Sequence, residues 1–186
     1  LDIKGCRLLI LDTISGNKTS VKLSAQVSAL ALRSQGGLVA ATKNGFGFIN
    51  SETFKLNFIV DPEADMTTNR FNDGKCDRAG NFIAGTMDEL ETQPSGSVYR
   101  MGPDHSVVRL FGGYIVCNGP AFSLDGRTLY FSNSAEREIL EFHYDPETGS
   151  IKEPAIFAHI PDTKGSSDGL TVDSEGYIWC AHWAGW

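Results

Sequence analysis

Asn72, Asn118 and Asp168 hold the same place in three successive segments of this chain. Each stands just before a glycine, immediately or one residue on. Each opens a polar residue, an alternating apolar run, a Gly turn and a second apolar run. The segments read NDGKCDRAGNFIAG (72–85), NGPAFSLDGRTLYFS (118–132) and DGLTVDSEGYIWCA (168–181), with leading residues 46 and 50 positions apart. Self-similarity at this period is the mark of a blade array, in which each unit buries its apolar faces against its neighbours. Equivalent positions of successive blades face a common axis. Three oxygen-bearing side chains remote in sequence are therefore expected to converge on one end of a central channel.

The rest of the chain reads as strands and turns at a two-residue period. Residues 6–13 and 19–23 are expected to be outer strands of a first blade, with residues 1–3 (LDI) in a strand before them. Residues 27–50 form a hairpin about Gln35-Gly36-Gly37 with a further turn at Asn44-Gly45, continued by 54–60. The polar stretch 61–71 reads as a long connection. The next blade holds 72–77, 81–87, 96–101 and 107–110, and the one after holds 118–123, 128–133, 138–144 and 154–159. A last blade opens at Asp168. Residues 134–142 (SAEREILEF) carry helix formers, but the alternation of 138–144 favours a strand. The fold class expected is all-β: a β-propeller array of roughly three and a half to four blades, one domain over residues 1–186, incomplete at both ends. Propellers close with ~4–8 blades, so an open array of this length is not expected to be a competent enzyme alone.

Net charge is −7, which argues against nucleic acid, because phosphate binding needs a basic face. It argues equally against a polybasic membrane-surface role, and no apolar run approaches the length of a membrane helix. The four cysteines, Cys6, Cys76, Cys117 and Cys180, show no CxxC or zinc-type spacing. They read as small buried hydrophobes in a reducing compartment, and a cytoplasmic protein is expected. Oligomeric state is left open.

The phased polar positions carry the chemistry. Asn118 offers an amide oxygen and Asp168 a carboxylate, hard ligands suited to Ca²⁺, Mg²⁺ or Mn²⁺ and tolerant of Zn²⁺. Either pair alone is an ordinary turn. In Arg70-Phe71-Asn72-Asp73-Gly74-Lys75, Arg70 and Asn72 share one face of an extended segment, and Arg70 presents a fork for oxyanions or hydroxyls. Asp73 is then expected to point away and pair with Lys75 or a backbone turn. Trp179, His182, Trp183 and Trp186 form an aromatic, polar end suited to stacking on a sugar or to packing, with His182 a candidate proton carrier. There is no Gly-rich phosphate loop and no G-x-S-x-G elbow.

RFNDGKCDRAGNFIAGTM (70–87), GSVYRMGPDHSV (96–107), CNGPAFSLDGRTLYFSNS (117–134), EFHYDPETG (141–149) and SDGLTVDSEGYIWCAHWAGW (167–186) together resemble the SMP-30/gluconolactonase/regucalcin-like sugar lactonases. The resemblance implies a six-bladed propeller with one divalent cation at the channel mouth. It implies Asn118 and Asp168 as metal ligands, with a Glu ligand upstream of the first LDI-type strand. It further implies Arg70 and Asn72 as substrate contacts, and Asp168 as the general base for opening a sugar lactone to the aldonic acid. The family's acidic substrate contact falls on Leu90, so Glu89 is expected to substitute, with Glu91 the alternative. A calcium-binding regulatory protein of regucalcin type, or a broader propeller esterase or phosphotriesterase, is the competing reading.

Overall fold

A computed structural model describes residues 1–185. It is built of antiparallel sheets and one 3-10 turn, Asp162–Lys164. A two-stranded sheet pairs β1 (Arg7–Leu11) with β2 (Lys18–Lys22). Three four-stranded sheets follow, each pairing its strands in chain order. The first holds β3 (Val27–Leu32), β4 (Leu38–Thr42), β5 (Gly45–Ile49) and β6 (Leu56–Val60). The second holds β7 (Asn69–Cys76), β8 (Phe82–Asp88), β9 (Gly96–Met101) and β10 (Val107–Tyr114). The third holds β11 (Cys117–Phe122), β12 (Thr128–Asn133), β13 (Glu138–His143) and β14 (Ala155–His159). A final pair joins β15 (Ser166–Val172) to β16 (Ile178–Trp183). The first strands β3, β7, β11 and β15 lie side by side. These are propeller blades around one axis.

No hydrogen-bonded ladder joins one sheet to the next among the described residues, so the blades are held together by apolar packing between faces and by side-chain hydrogen bonds such as Tyr144 Oη to Asp77 Oδ2. Strand β8 is buried along its whole length, as a strand covered on both faces must be. Its alternation splits the core. Phe82 and Ala84 face the preceding blade with Phe46, Phe71 and Tyr99. Ile83 faces the following blade with Val98, Leu129, Phe131 and Phe142. Smaller clusters join Leu8 and Leu23 to the first full blade, and Ala121 and Ile139 to Leu170.

Three expectations change. Residues 1–3 do not form a strand; Asp2 makes only an isolated bridge to Arg7. The connection at 61–71 is shorter than expected, because β7 begins at Asn69. Asn69 is buried with its amide donating to Glu63 Oε2 at 2.9 Å and Ser95 O at 3.3 Å, so a polar residue that reads as loop is satisfied inside a strand. Finally, the innermost strands begin earlier than expected, at Asn69, Cys117 and Ser166, so the repeated polar residues lie within them and do not open them.

Each innermost strand also carries a β-bulge at the same place. The register shifts fall between Val27 and Ala29, Phe71 and Asp73, Asn118 and Ala121, and Ser167 and Leu170. Bulges re-aim side chains and interrupt the ladder. Gly119 (φ +48°) shows why glycine follows Asn118: a Cβ there would lie 2.6 Å from Leu170 N and 2.8 Å from Asp168 O. Without a side chain, the bulges of β11 and β15 meet.

Candidate functional site

A cleft of ≈ 600 Å³ opens where the bulged strands converge, and Arg70, Asn72, Asp73, Asn118, Asp168 and Glu91 all line it. A directional relay of hydrogen bonds fixes its polar groups. Arg70 Nη1 donates to Asn72 Oδ1 (3.0 Å) and to Phe71 O (2.9 Å). Asn72 Nδ2 donates to Asn118 Oδ1 (2.9 Å) and Cys117 O (3.0 Å). Asn118 Nδ2 donates to Ser134 Oγ (3.0 Å), which donates to Ser167 O (2.5 Å). Arginine can only donate and a backbone carbonyl can only accept. The two ends of the relay therefore set both amide orientations, with Asn118 Oδ1 turned toward Asn72. Burial holds the Arg70 pKa below its ordinary value, opposed by Glu89 and Glu91.

Asp73 does not point away. The bulge directs both Asn72 and Asp73 toward β11, where Asp73 Oδ2 accepts from Gly119 N (2.9 Å) while Oδ1 accepts from Gly74 N (2.7 Å). Burial, and to a smaller degree Asp168, raise its pKa against the lowering by those two N–H groups. Lys75 does not form an ion pair with Asp73; it donates to Leu170 O at 2.8 Å. In the first full blade the equivalent residue is Ser28, whose hydroxyl donates to Ala41 O at 3.2 Å. Asp73 and Ser28 escaped sequence reasoning. Only the 44-residue step back from Asn72 could have marked Ser28.

Glu89 and Glu91 separate. Glu89 accepts from Lys4 Nζ (2.8 Å) and Lys43 Nζ, and its Oε1 lies 3.7 Å from Arg70 Nε. It is absent from the cleft wall, whereas Glu91 lines it. A capped turn places Glu91: buried Asp88 Oδ2 accepts from Thr92 N (3.0 Å) and Gln93 N (3.1 Å), and Glu91 adopts φ +55°. Leu90 is 71 % exposed. The Lys4 hydrogen bond, then that of Lys43, lowers the Glu89 pKa from 4.5 to about 2. This pairing contributes stability fully above pH ~4.5, and the contribution is lost as pH falls toward about 2. Glu89→Gln is expected to flatten the stability profile in that window. Acid titrations of the two proteins that superimpose would refute this.

At the aromatic end, Ala181 and Trp183 line the cleft. His182 does not; its Nδ1 sits 2.9 Å from Lys164 O. Trp179 donates to Asp173 Oδ2 at 2.9 Å, and Trp186 lies outside the described residues. All four cysteines are free. Cys117 is fully buried and burial pushes its thiol pKa far up, so the residue beside Asn118 is no nucleophile.

The donors fit a hard divalent cation. Asn118 Oδ1 keeps a lone pair after accepting from Asn72. The Asp168 carboxylate takes no hydrogen bond from the described residues, which leaves it free toward the cleft. Among the described residues no three His, Cys, Asp or Glu side chains cluster as a metal site, so a cation held by Asn118 and Asp168 would meet one amide oxygen and one carboxylate from them.

A sequence model of the SMP-30/Gluconolactonase/LRE-like region matches residues 1–186. The chain belongs to this family. Regucalcin of Xenopus laevis is 35% identical over 191 residues, covering 100% of this chain and 64% of that protein. The structure of a calcium-binding protein, regucalcin, from Agrobacterium tumefaciens superposes with TM-score 0.91 at 31% identity, over 97% of this chain and 61% of that one. A gluconolactonase from Xanthomonas campestris, described as important in glucose secondary metabolic pathways, superposes with TM-score 0.82 at 26% identity, over 98% of this chain and 64% of that one. The SMP-30-type chain thus spans less than two thirds of each of these relatives. No helix among the described residues is long and apolar enough to cross a membrane.

Proposed function

We propose that the intact protein carrying this SMP-30-type sequence hydrolyses a sugar lactone to its aldonic acid with one divalent cation, of which Ca²⁺, Zn²⁺, Mg²⁺ and Mn²⁺ are the candidates. The observation that carries the reading is the relay from Arg70 to Ser167, which orients Asn72 and Asn118 beside the free carboxylate of Asp168 in one cleft. Asn118 Oδ1 and Asp168 would hold the cation, which supplies polarisation of the lactone carbonyl and a lowered pKa for water. Asp168 accepts the proton of the water that adds to the carbonyl carbon. The ring C–O bond then breaks, its oxygen takes that proton back from Asp168 and leaves as a hydroxyl, and the carbonyl carbon becomes a carboxyl group. Arg70 Nη2, which makes no hydrogen bond to the described residues, and the remaining lone pair of Asn72 Oδ1 bind ring hydroxyls. Glu91, at the cleft wall, takes the acidic contact in place of Glu89, which instead braces Arg70 from behind.

The test is acid release from a panel of aldonolactones with each of the four cations. Lactone opening that stops on chelation and returns with the cation is expected. No opening of any lactone with any cation would sink the reading. The calcium-binding character of the Agrobacterium relative favours a second reading, cation binding without turnover. Saturable Ca²⁺ binding with no hydrolysis would select it, and turnover of aryl esters alone would select a broader esterase. We also place residues 1–186 in one propeller domain and the protein in the cytoplasm. Limited proteolysis releasing a stable piece of the chain would refute the first, and recovery in a membrane fraction the second. The 186-residue stretch by itself is expected to be inactive, and lactone turnover by it would refute that.

A further inference from the structure

A bulge leaves backbone groups of its strand without ladder partners, and buried ones must find others. At β15 the carbonyls around Asp168 are met by three side chains from two other blades. Ser134 Oγ donates to Ser167 O at 2.5 Å, Ser132 Oγ to Asp168 O at 2.7 Å, and Lys75 Nζ to Leu170 O at 2.8 Å. The two serines come from the neighbouring blade. Lys75 comes from β7, with all of β11 between its strand and β15. At β11 the Gly119 N–H, directly after Asn118, is taken by Asp73 Oδ2 at 2.9 Å. Asp73 and Lys75 stand two apart in β7, directly after its bulge. Gly74, between them, packs against its own blade and the preceding one: a Cβ there would lie 2.9 Å from Ala84 Cβ, 3.0 Å from Ile83 O and 3.3 Å from Ala29 Cβ.

We propose that Asp73 and Lys75 are positioning residues, a brace from one blade that fixes the bulges presenting Asn118 and Asp168. Asp73 accepts the orphan donor of the β11 bulge, and Lys75 donates to the carbonyl of Leu170, where the β15 ladder resumes directly after its bulge. This accounts for the whole Asn-Asp-Gly-Lys run: Asn72 orients an amide, Asp73 and Lys75 hold backbone, and Gly74 leaves room for β8 and the preceding blade. The inference rests on the proposed cation-dependent function for the meaning of the two presented residues, but its geometry does not.

The brace is tested with Lys75→Met and Lys75→Arg, reading amide hydrogen exchange without added metal and Mn²⁺ affinity by calorimetry. Lys75→Met is expected to speed exchange across residues 166–172 by at least ~10-fold while β5 stays protected, and to weaken Mn²⁺ binding by a similar factor. Lys75→Arg, which can still donate to Leu170 O, should restore most of both. Should Lys75→Met fail to fold, Asp73→Ala reads the brace from β11, with faster exchange at the Gly119 amide. Unchanged exchange in 166–172, or faster exchange with unchanged Mn²⁺ affinity, overturns the proposal. If the unsubstituted protein binds no cation, the functional reading fails on that result, and exchange alone then decides the brace.

Discussion

Asp168→Asn is expected to lower kcat for aldonolactone opening by ~10³-fold, within the 10²–10⁴ range of a positioned proton acceptor. The substitution keeps an oxygen facing the cleft and removes the basicity, so turnover should fall far more than cation affinity. Glu91→Gln offers the contrast. It removes a charge from the cleft wall but no proton acceptor at the reacting carbon, so KM should rise several-fold while kcat stays within about two-fold. Steady-state kinetics on the intact protein, with Mn²⁺ affinity measured in parallel, separate the two. A kcat for Asp168→Asn within about ten-fold of the parent would remove Asp168 from the role of base. Equal losses of kcat in both variants would mean that the cleft wall, not Asp168, carries the chemistry.

Phe46→Ala is expected to cost about 3–5 kcal/mol of stability. The ring is fully buried between two blades, its centroid 4.5 Å from Phe71 and 6.0 Å from Phe82. No backbone ladder crosses that interface among the described residues, so a cavity there is offset by nothing but relaxation of the side chains around it. The effect should also reach the cleft, because Phe71 lies in β7 between Arg70 and Asn72. Urea unfolding followed by tryptophan fluorescence gives the midpoint shift. A cost below about 1 kcal/mol would show that the blades do not depend on this cluster for their docking.

Much of the fold was legible because blade strands obey a local rule. Residues 96–101 and 128–133 match β9 and β12 to the residue. In residues 134–142 alternation competed with helix propensity and alternation won: 134–137 turn, with Arg137 at φ +55°, and β13 follows. The reason is burial. Ile139 faces the last pair of strands while Leu140 and Phe142 face the preceding blade, so both faces of the strand are used. The errors came where burial was polar. Asn69 and Arg70 look like loop because nothing in the sequence shows that Glu63, six residues upstream, folds back as a buried acceptor for Asn69, Thr86 and Tyr99.

The candidate site divides along the same line. That Asn72, Asn118 and Asp168 share a phase, and that a glycine must follow, is written in the chain, because repeat period and glycine placement are properties of the segment itself. The direction of Asp73, the reach of Lys75 to β15, and the separation of Glu89 from Glu91 are not. Two-residue alternation predicts that Asp73 faces away from Asn72, and it holds only while the ladder is regular. A bulge exists only relative to a partner strand, and a capped turn such as that of Asp88 depends on where its buried carboxylate lands. Those registers are set by docking of blade on blade, so a single segment read alone carries the identity of the site residues but not which way they turn.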